Sequence, residues 1–350
     1  MNDKIKVGIS IGDINGIGME IILKTFADKN AHFDFIPVVY GSSKVASFYR
    51  KALEITDFSF HLVKDALQIN PKNANLVACW DEEVEINVGQ LTPLGGKYAL
   101  KSLNSAIADA KAGKIDVLVT APLNKQNIQN DNFNFPGHTE YLAQQFGVQD
   151  NLMILCSENL KVALVTGHIP LSKVASTINT ELIIKKARIL NKSLKEDFGI
   201  RKPKIAVLGL NPHAGDNGVL GNEEKEIILP AIEKLRNEDI LAIGPYAADG
   251  FFGAGTFAKF DAILAMYHDQ GLAPFKAISF GSGVNYTAGM PIIRTSPDHG
   301  TGFDIAGKNM ANPDSFRAAI YLACDIYKNR LLHKEINANP LEIKELKREK

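Results

Sequence analysis

Short apolar runs alternate with longer stretches of helical periodicity along most of this 350-residue chain. "KVGISIGD" precedes MEIILKTFADK, and "FDFIPVVYGS" precedes KVASFYRKALEI. "IDVLVTAP" follows a stretch in which Leu100, Leu103, Ile107 and Ala110 fall on one helical face. Later come "DNLMILCS", "LKVALVTGH", "PKIAVLGLNPH" and "FDAILAMYH". ELIIKKARILNKSL separates the second of these from the third. EEKEIILPAIEKLR separates the third from the fourth, and its Pro230 is placed to kink or shorten a helix. The alternation predicts a layered α/β fold with a largely parallel sheet, because parallel neighbours need a crossover helix between them.

A last helix is predicted from Asn312-Pro313, an N-cap residue followed by a proline suited to the first helical position. Phe316, Ala319, Ile320 and Ala323 form its apolar stripe. The charged segment after it reads as a solvated tail or surface helix. The turn-rich stretch at 126–138 is the best crossing point between domains. The expected division is one α/β domain from 1–130 plus 265–350 and another from 131–264.

Composition narrows the function classes. Hydrophobic residues make up 45% and charged residues 22%, as in a soluble globular protein. Lys+Arg and Asp+Glu both number 39, so a zero net charge argues against nucleic acid or an anionic membrane as partner. An anionic ligand must therefore be held by a local cluster. No apolar segment has transmembrane length, and the first residues lack a signal-peptide core. Cys79, Cys156 and Cys324 are odd in number and lie in apolar surroundings, as expected of reduced thiols in a cytoplasmic protein.

Three of the eight histidines sit alike: His168, His213 and His268 each follow an apolar strand directly or after a short turn. Ligands of open parallel sheets bind beyond the strands' carboxyl ends, so the three could converge on a divalent metal. They could equally be unrelated histidines, each satisfied in its own turn. Asp269 and Asp249 are candidate ligands, supports behind ligands, bases, or plain turn residues.

Two glycine-rich segments raise the question of a dinucleotide. In "GISIGDINGIGMEIILKTF" the glycines do not make the GxGxxG spacing, so a tight strand–helix turn is the better account. A helix start there could still face an anion. The segment 279–313 reads as a long polar loop in which Ile292, Ile293, Phe303 and Ile305 argue against disorder. Lys276, Asn285 and Arg294, with His138 and Thr139 at a helix start, could form an anion pocket; read singly, the two cations could be surface charges.

Assembled in order, "VTAPLNK", "FPGHTEYLA", "VTGHIPL", "LGLNPHAGDNGVLGNEE", "GPYAADGFF", "AMYHDQGLAPFK" and "RTSPDHGTGFDIAGKNMANP" resemble the 4-hydroxythreonine-4-phosphate dehydrogenase family of pyridoxal phosphate biosynthesis. The last motif is also similar to a loop of isopropylmalate dehydrogenases, which bind NAD without a Rossmann domain. The resemblance implies a two-domain α/β/α fold of that kind and a homodimer with its metal site at the subunit interface. It implies His168, His213 and His268 as ligands of a divalent metal (zinc, magnesium or cobalt). It implies substrate binding by His138, Thr139, Lys276, Asn285 and Arg294. NAD or NADP would lie against Gly300, Asp304, Gly307 and Asn312. The implied reaction is oxidation of 4-phosphooxy-L-threonine, followed by loss of CO₂ to give 3-amino-2-oxopropyl phosphate. Lys276, Asp249 and Asp269 are the candidate bases. A sister dehydrogenase of 4-phospho-D-threonate or 4-phospho-D-erythronate is the nearest alternative. A metal-dependent hydrolase and a phosphate acyltransferase are more distant ones. The sequence departs from the family at "GDINGIGME", where Ile14 and Met19 stand in place of two prolines.

Overall fold

The structure is a computed structural model that describes residues 4–28, 33–128, 138–279 and 281–339. The first half of the chain supplies β1 (Ile5–Ser10), α1 (Gly18–Phe26), β2 (Phe35–Gly41), α2 (Ser43–Ala52), β3 (His61–Val63), β4 (Asn75–Ala78), α3 (Pro93–Lys111) and β5 (Val117–Thr120). Next come α4 (His138–Gln145), β6 (Leu152–Cys156), β7 (Lys161–Leu164), α5 (Val174–Thr177), α6 (Thr180–Glu196) and β8 (Lys204–Leu208). The remainder is α7 (Leu229–Arg236), β9 (Leu241–Tyr246), α8 (Ala248–Gly253), β10 (Ala262–Ala265), α9 (His268–Ile278), β11 (Val284–Ala288), β12 (Ile293–Pro297) and α10 (Asp314–Ile336).

All twelve described strands join one sheet in the order β3-β4-β2-β1-β5-β12-β11-β6-β7-β10-β8-β9. Most neighbours are parallel, as expected, but β11 runs antiparallel to both β12 and β6, and β6 antiparallel to β7. The chain direction therefore reverses in the middle, and two parallel blocks point opposite ways. This is not the strand order of a dinucleotide-binding doubly wound sheet.

Strand alternation gives the two faces of the sheet different fates. One face packs in a continuous core that includes Val7, Val117, Ile154, Ala163, Val207, Tyr286 and Ile293 and is covered by α1, α2, α6, α7 and α10. The other face carries two separate cores. Leu118 and Ile292 pack under α3 and α4, and Leu155, Val162 and Ile263 pack under α9. Between them the inner strands present polar side chains, and the pocket lies there.

Two sequence expectations are corrected. The 279–313 segment is not one long loop, because β11 and β12 lie within it. The last helix begins at Asp314 with Pro313 as its N-cap; the Asn312 side chain accepts from the Asp314 N–H at 2.8 Å. Pro230 acts as expected: the run turns π-helical over Glu224–Ile228 just before it, and the regular helix α7 is shortened to Leu229–Arg236. Most of the expected 126–138 crossing lies outside the described residues.

Where the two prolines are absent, the first loop is tied down by Asn15. Asn15 donates through Nδ2 to Gln90 O and Thr92 Oγ1, and its Oδ1 accepts from the Asn87 N–H. A Cβ on Gly18 would meet Ile11 O at 2.1 Å, which explains that glycine. The Ile17 N–H donates to Thr301 O, which ties the start of α1 to the loop that carries Thr301. Glu20 is fully buried and accepts from the Gly307 and Ala311 N–H groups and from Lys24 Nζ, holding the 300–311 loop to α1. Glu20→Ala strands these donors and is expected to cost about 3 kcal/mol, read as a lower urea midpoint.

Candidate active site

Thr120 on β5, Arg294 and Ser296 on β12, Asn285 on β11, and Met153 and Leu155 on β6 floor a pocket of about 300 Å³. Its walls are the loop after β5 with Lys125, the start of α4 with Thr139 and Glu140, α9 with His268 and Lys276, His168 after β7, and residues 297–300. The expectation of a site beyond strand ends therefore holds only in part: half of the floor is mid-strand.

Arg294 is the central feature. It is 2% exposed, yet its Nε and Nη2 donate only to Thr120 Oγ1, at 3.1 and 2.7 Å, and its Nη1 to Thr287 Oγ1 at 3.4 Å. Both partners are neutral, and among the described residues no carboxylate pairs with it. Burial pushes its pKa down to about 10, against the pull of Glu140, so it stays cationic at neutral pH. A desolvated cation without a counter-ion costs several kcal/mol, and an anionic ligand removes that cost.

The rim mixes charges. Lys276 Nζ lies 3.7 Å from Asp298 Oδ1. Burial raises the Asp298 pKa, and Lys276 opposes that shift. His299 Nδ1 sits 3.1 Å from Gly300 O, which can only accept; Nδ1 therefore carries the proton and Nε2 a lone pair. That Nε2 and Asn285 Oδ1 are buried acceptors with no partner among the described residues. Burial pushes the His299 pKa down, against the pull of the Gly300 carbonyl and Asp298.

His168 and His268 come together, with ring centroids 5.5 Å apart. Burial, then Lys125, lowers the His168 pKa. His268 Nδ1 is 2.7 Å from Asp269 Oδ1, and its Nε2 has no partner among the described residues. The same rings edge a second hollow with Ile169, Leu171 and Tyr267, and Leu171 is 72% exposed. His213 is not beside them: it is exposed in a left-handed turn within 212–218, with φ of 52°. Among the described residues no three His, Cys, Asp or Glu side chains converge as a metal site.

Other expected site residues scatter. Asp249 is exposed at the start of α8, away from the pocket wall, and Asp269 is exposed behind His268. Gly300 reaches the rim, whereas Asp304 and Asn312 are exposed farther along the loop and Gly307 packs on Val88. The His138 side chain lies outside the described residues. Lys125, Glu140, Asp298 and His299 were not singled out from sequence, although each stands in one of the motifs quoted above. The three cysteines are free, with Cys156 and Cys324 buried and Cys79 partly so. No helix among the described residues is long and apolar enough to cross a membrane.

A mostly parallel α/β sheet whose polar pocket holds a buried arginine, with no paired carboxylate among the described residues, fits an α/β enzyme of small anionic molecules. The chain belongs to the PdxA family: the model of the "Pyridoxal phosphate biosynthetic protein PdxA" matches residues 34–323. A 4-hydroxythreonine-4-phosphate dehydrogenase of Bacteroides thetaiotaomicron is 52% identical over 340 residues, covering 97% of this chain and 93% of its own. A crystal structure of the enzyme of that name from Klebsiella pneumoniae superposes with a TM-score of 0.79 at 34% identity, covering 93% of this chain and 100% of that one. A protein of Oceanobacillus iheyensis, provisionally named a D-threonate 4-phosphate dehydrogenase, is 38% identical over 93% of this chain and 99% of its own.

Proposed function

We propose that the chain catalyses NAD- or NADP-dependent oxidation of 4-phosphooxy-L-threonine to 2-amino-3-oxo-4-phosphooxybutanoate, which then loses CO₂ to give 3-amino-2-oxopropyl phosphate. The observation that carries this reading is Arg294, a buried cation with no paired carboxylate among the described residues, in a chain of the PdxA family. Arg294, Lys276, Thr139 and Asn285 bind the phosphate and carboxylate, and anchoring a remote phosphate holds the reacting carbon in place. His138 belongs to this group by resemblance.

The donor set near His168 and His268 suits a divalent metal: two adjacent imidazoles, one oriented by a carboxylate. His213 of a second copy completes the three, and the exposed Ile169 and Leu171 beside the pair suit burial against that copy. Zinc, magnesium or cobalt bound there would supply Lewis acidity at the substrate hydroxyl. NAD or NADP would lie against the 300–312 loop and accept the hydride. Of the candidate bases, Lys276 is the one that lines the pocket in its own chain. The division at 130 and 265 and a cytoplasmic location remain part of this reading.

The named Oceanobacillus relative supports a second reading, oxidation of 4-phospho-D-threonate in the same pocket. The test incubates the purified protein with NAD⁺ and 4-phosphooxy-L-threonine and follows NADH and CO₂ together. NADH and CO₂ in equal amounts, lost on chelation and restored by added metal, is the expected result. CO₂-free oxidation, or activity indifferent to the chelator, would contradict it.

A further inference from the structure

Directly behind the pocket, on the opposite face of the sheet, lies a buried polar cluster that the reaction does not use. β11 alternates, so Asn285 and Thr287 face the pocket side and Tyr286 faces away. Tyr286 is fully buried, and its hydroxyl donates to Asp197 Oδ2 at 2.6 Å. Asp197, at the end of α6 and 2% exposed, also accepts from Ser193 Oγ at 2.6 Å. Arg330 of α10 completes the cluster. Its Nε donates to Asp197 Oδ1 at 2.6 Å and its Nη2 to the Tyr286 hydroxyl at 3.0 Å. Its Nη1 donates to Met290 O and Pro291 O, at 3.2 and 3.3 Å, in the turn that joins β11 to β12.

We infer that Arg330, Asp197 and Tyr286 form a positioning clamp that fixes the β11–β12 hairpin from behind and thereby sets Arg294 against Asn285 and Thr287. Three distant stretches of chain meet at one carboxylate, and each bond constrains a different part of the hairpin. Tyr286 is paired with Thr295 in the ladder, and Thr295 adjoins Arg294. A shift of the hairpin moves every β11 and β12 group in the pocket floor, whereas the 300–312 cofactor loop is tied separately through Glu20. These are positioning residues, since none lines the pocket.

The inference rests on the pocket being the site of the phosphorylated substrate, and its test separates the two claims. Tyr286→Phe and Arg330→Met are compared with wild type in steady-state turnover of 4-phosphooxy-L-threonine and in urea unfolding. Turnover yields kcat, the substrate KM and the NAD⁺ KM. The expected result is a rise in substrate KM of roughly three- to thirtyfold, with NAD⁺ KM unchanged and partial recovery in Arg330→Lys. Variants with a lower urea midpoint but wild-type substrate KM would overturn the inference, leaving the cluster purely structural. If Arg330→Met does not fold, Tyr286→Phe and Arg330→Lys carry the same comparison. If wild type turns over no phosphorylated substrate, calorimetric Kd values for inorganic phosphate in wild type and variants still decide the matter, with weaker binding expected in the variants.

Discussion

Arg294→Met is expected to lower kcat/KM for the phosphorylated substrate by about 100- to 1,000-fold, equivalent to about 3–4 kcal/mol of transition-state stabilisation. The same change is expected to stabilise the folded protein by about 1–2 kcal/mol in urea unfolding without ligand. Both effects follow from one fact: the guanidinium is buried against two threonine hydroxyls, and among the described residues no carboxylate pairs with it. Methionine keeps much of the volume and removes the desolvated charge. The free protein then gains stability and the complex loses its anchor. Added phosphate should raise the unfolding midpoint of wild type and leave that of the variant unmoved. A variant that is less stable and still active would show that Arg294 is a structural residue.

The second large effect concerns the proposed metal site. His168→Ala and His213→Ala are each expected to lose metal and at least about 1,000-fold in activity. Mixed and refolded together, they should recover about a quarter of wild-type activity and about a quarter of its bound metal. Half of the random dimers then pair one variant of each kind, and in each such dimer one of the two sites has all its histidines. His168 and His268 lie ring to ring in one chain and His213 stands apart on an exposed turn, which is why the third ligand is assigned to a second copy. A mixture that stays inactive and metal-free would place all the ligands in one chain.

Much of the scaffold was legible in the sequence because burial on both faces writes a continuous apolar run. β1, β5, β7, β8 and β10 are runs of this kind, and the Phe316, Ala319, Ile320, Ala323 stripe fixed the buried side of α10. β11 and β12 were missed for the opposite reason. Asn285, Thr287, Arg294 and Ser296 occupy strand positions whose side chains serve the pocket, so the hydrophobic pattern is absent where the function lies. The reversal of strand direction at β11 leaves no local trace, since pairing partners come from distant segments.

The candidate site was legible to a similar extent. The repeated strand-end placement singled out His168 and His268, and the structure brings them together. Lys276 and Arg294 could have been surface charges by composition, and burial separates them: Arg294 is enclosed, Lys276 half-exposed. Glu140 and His299 went unassigned because neither has a spacing rule. What marks them is three-dimensional: a carboxylate on the wall, and an imidazole whose tautomer is set by Gly300 O.

The substrate assignment comes down to two rates measured side by side. Purified protein is given either 4-phosphooxy-L-threonine or 4-phospho-D-threonate, and kcat/KM is determined for each from NADH or NADPH formation. Turnover of the amino acid at the higher kcat/KM is the expected result. A higher value for the threonate, or no nicotinamide reduction with either substrate, would contradict it.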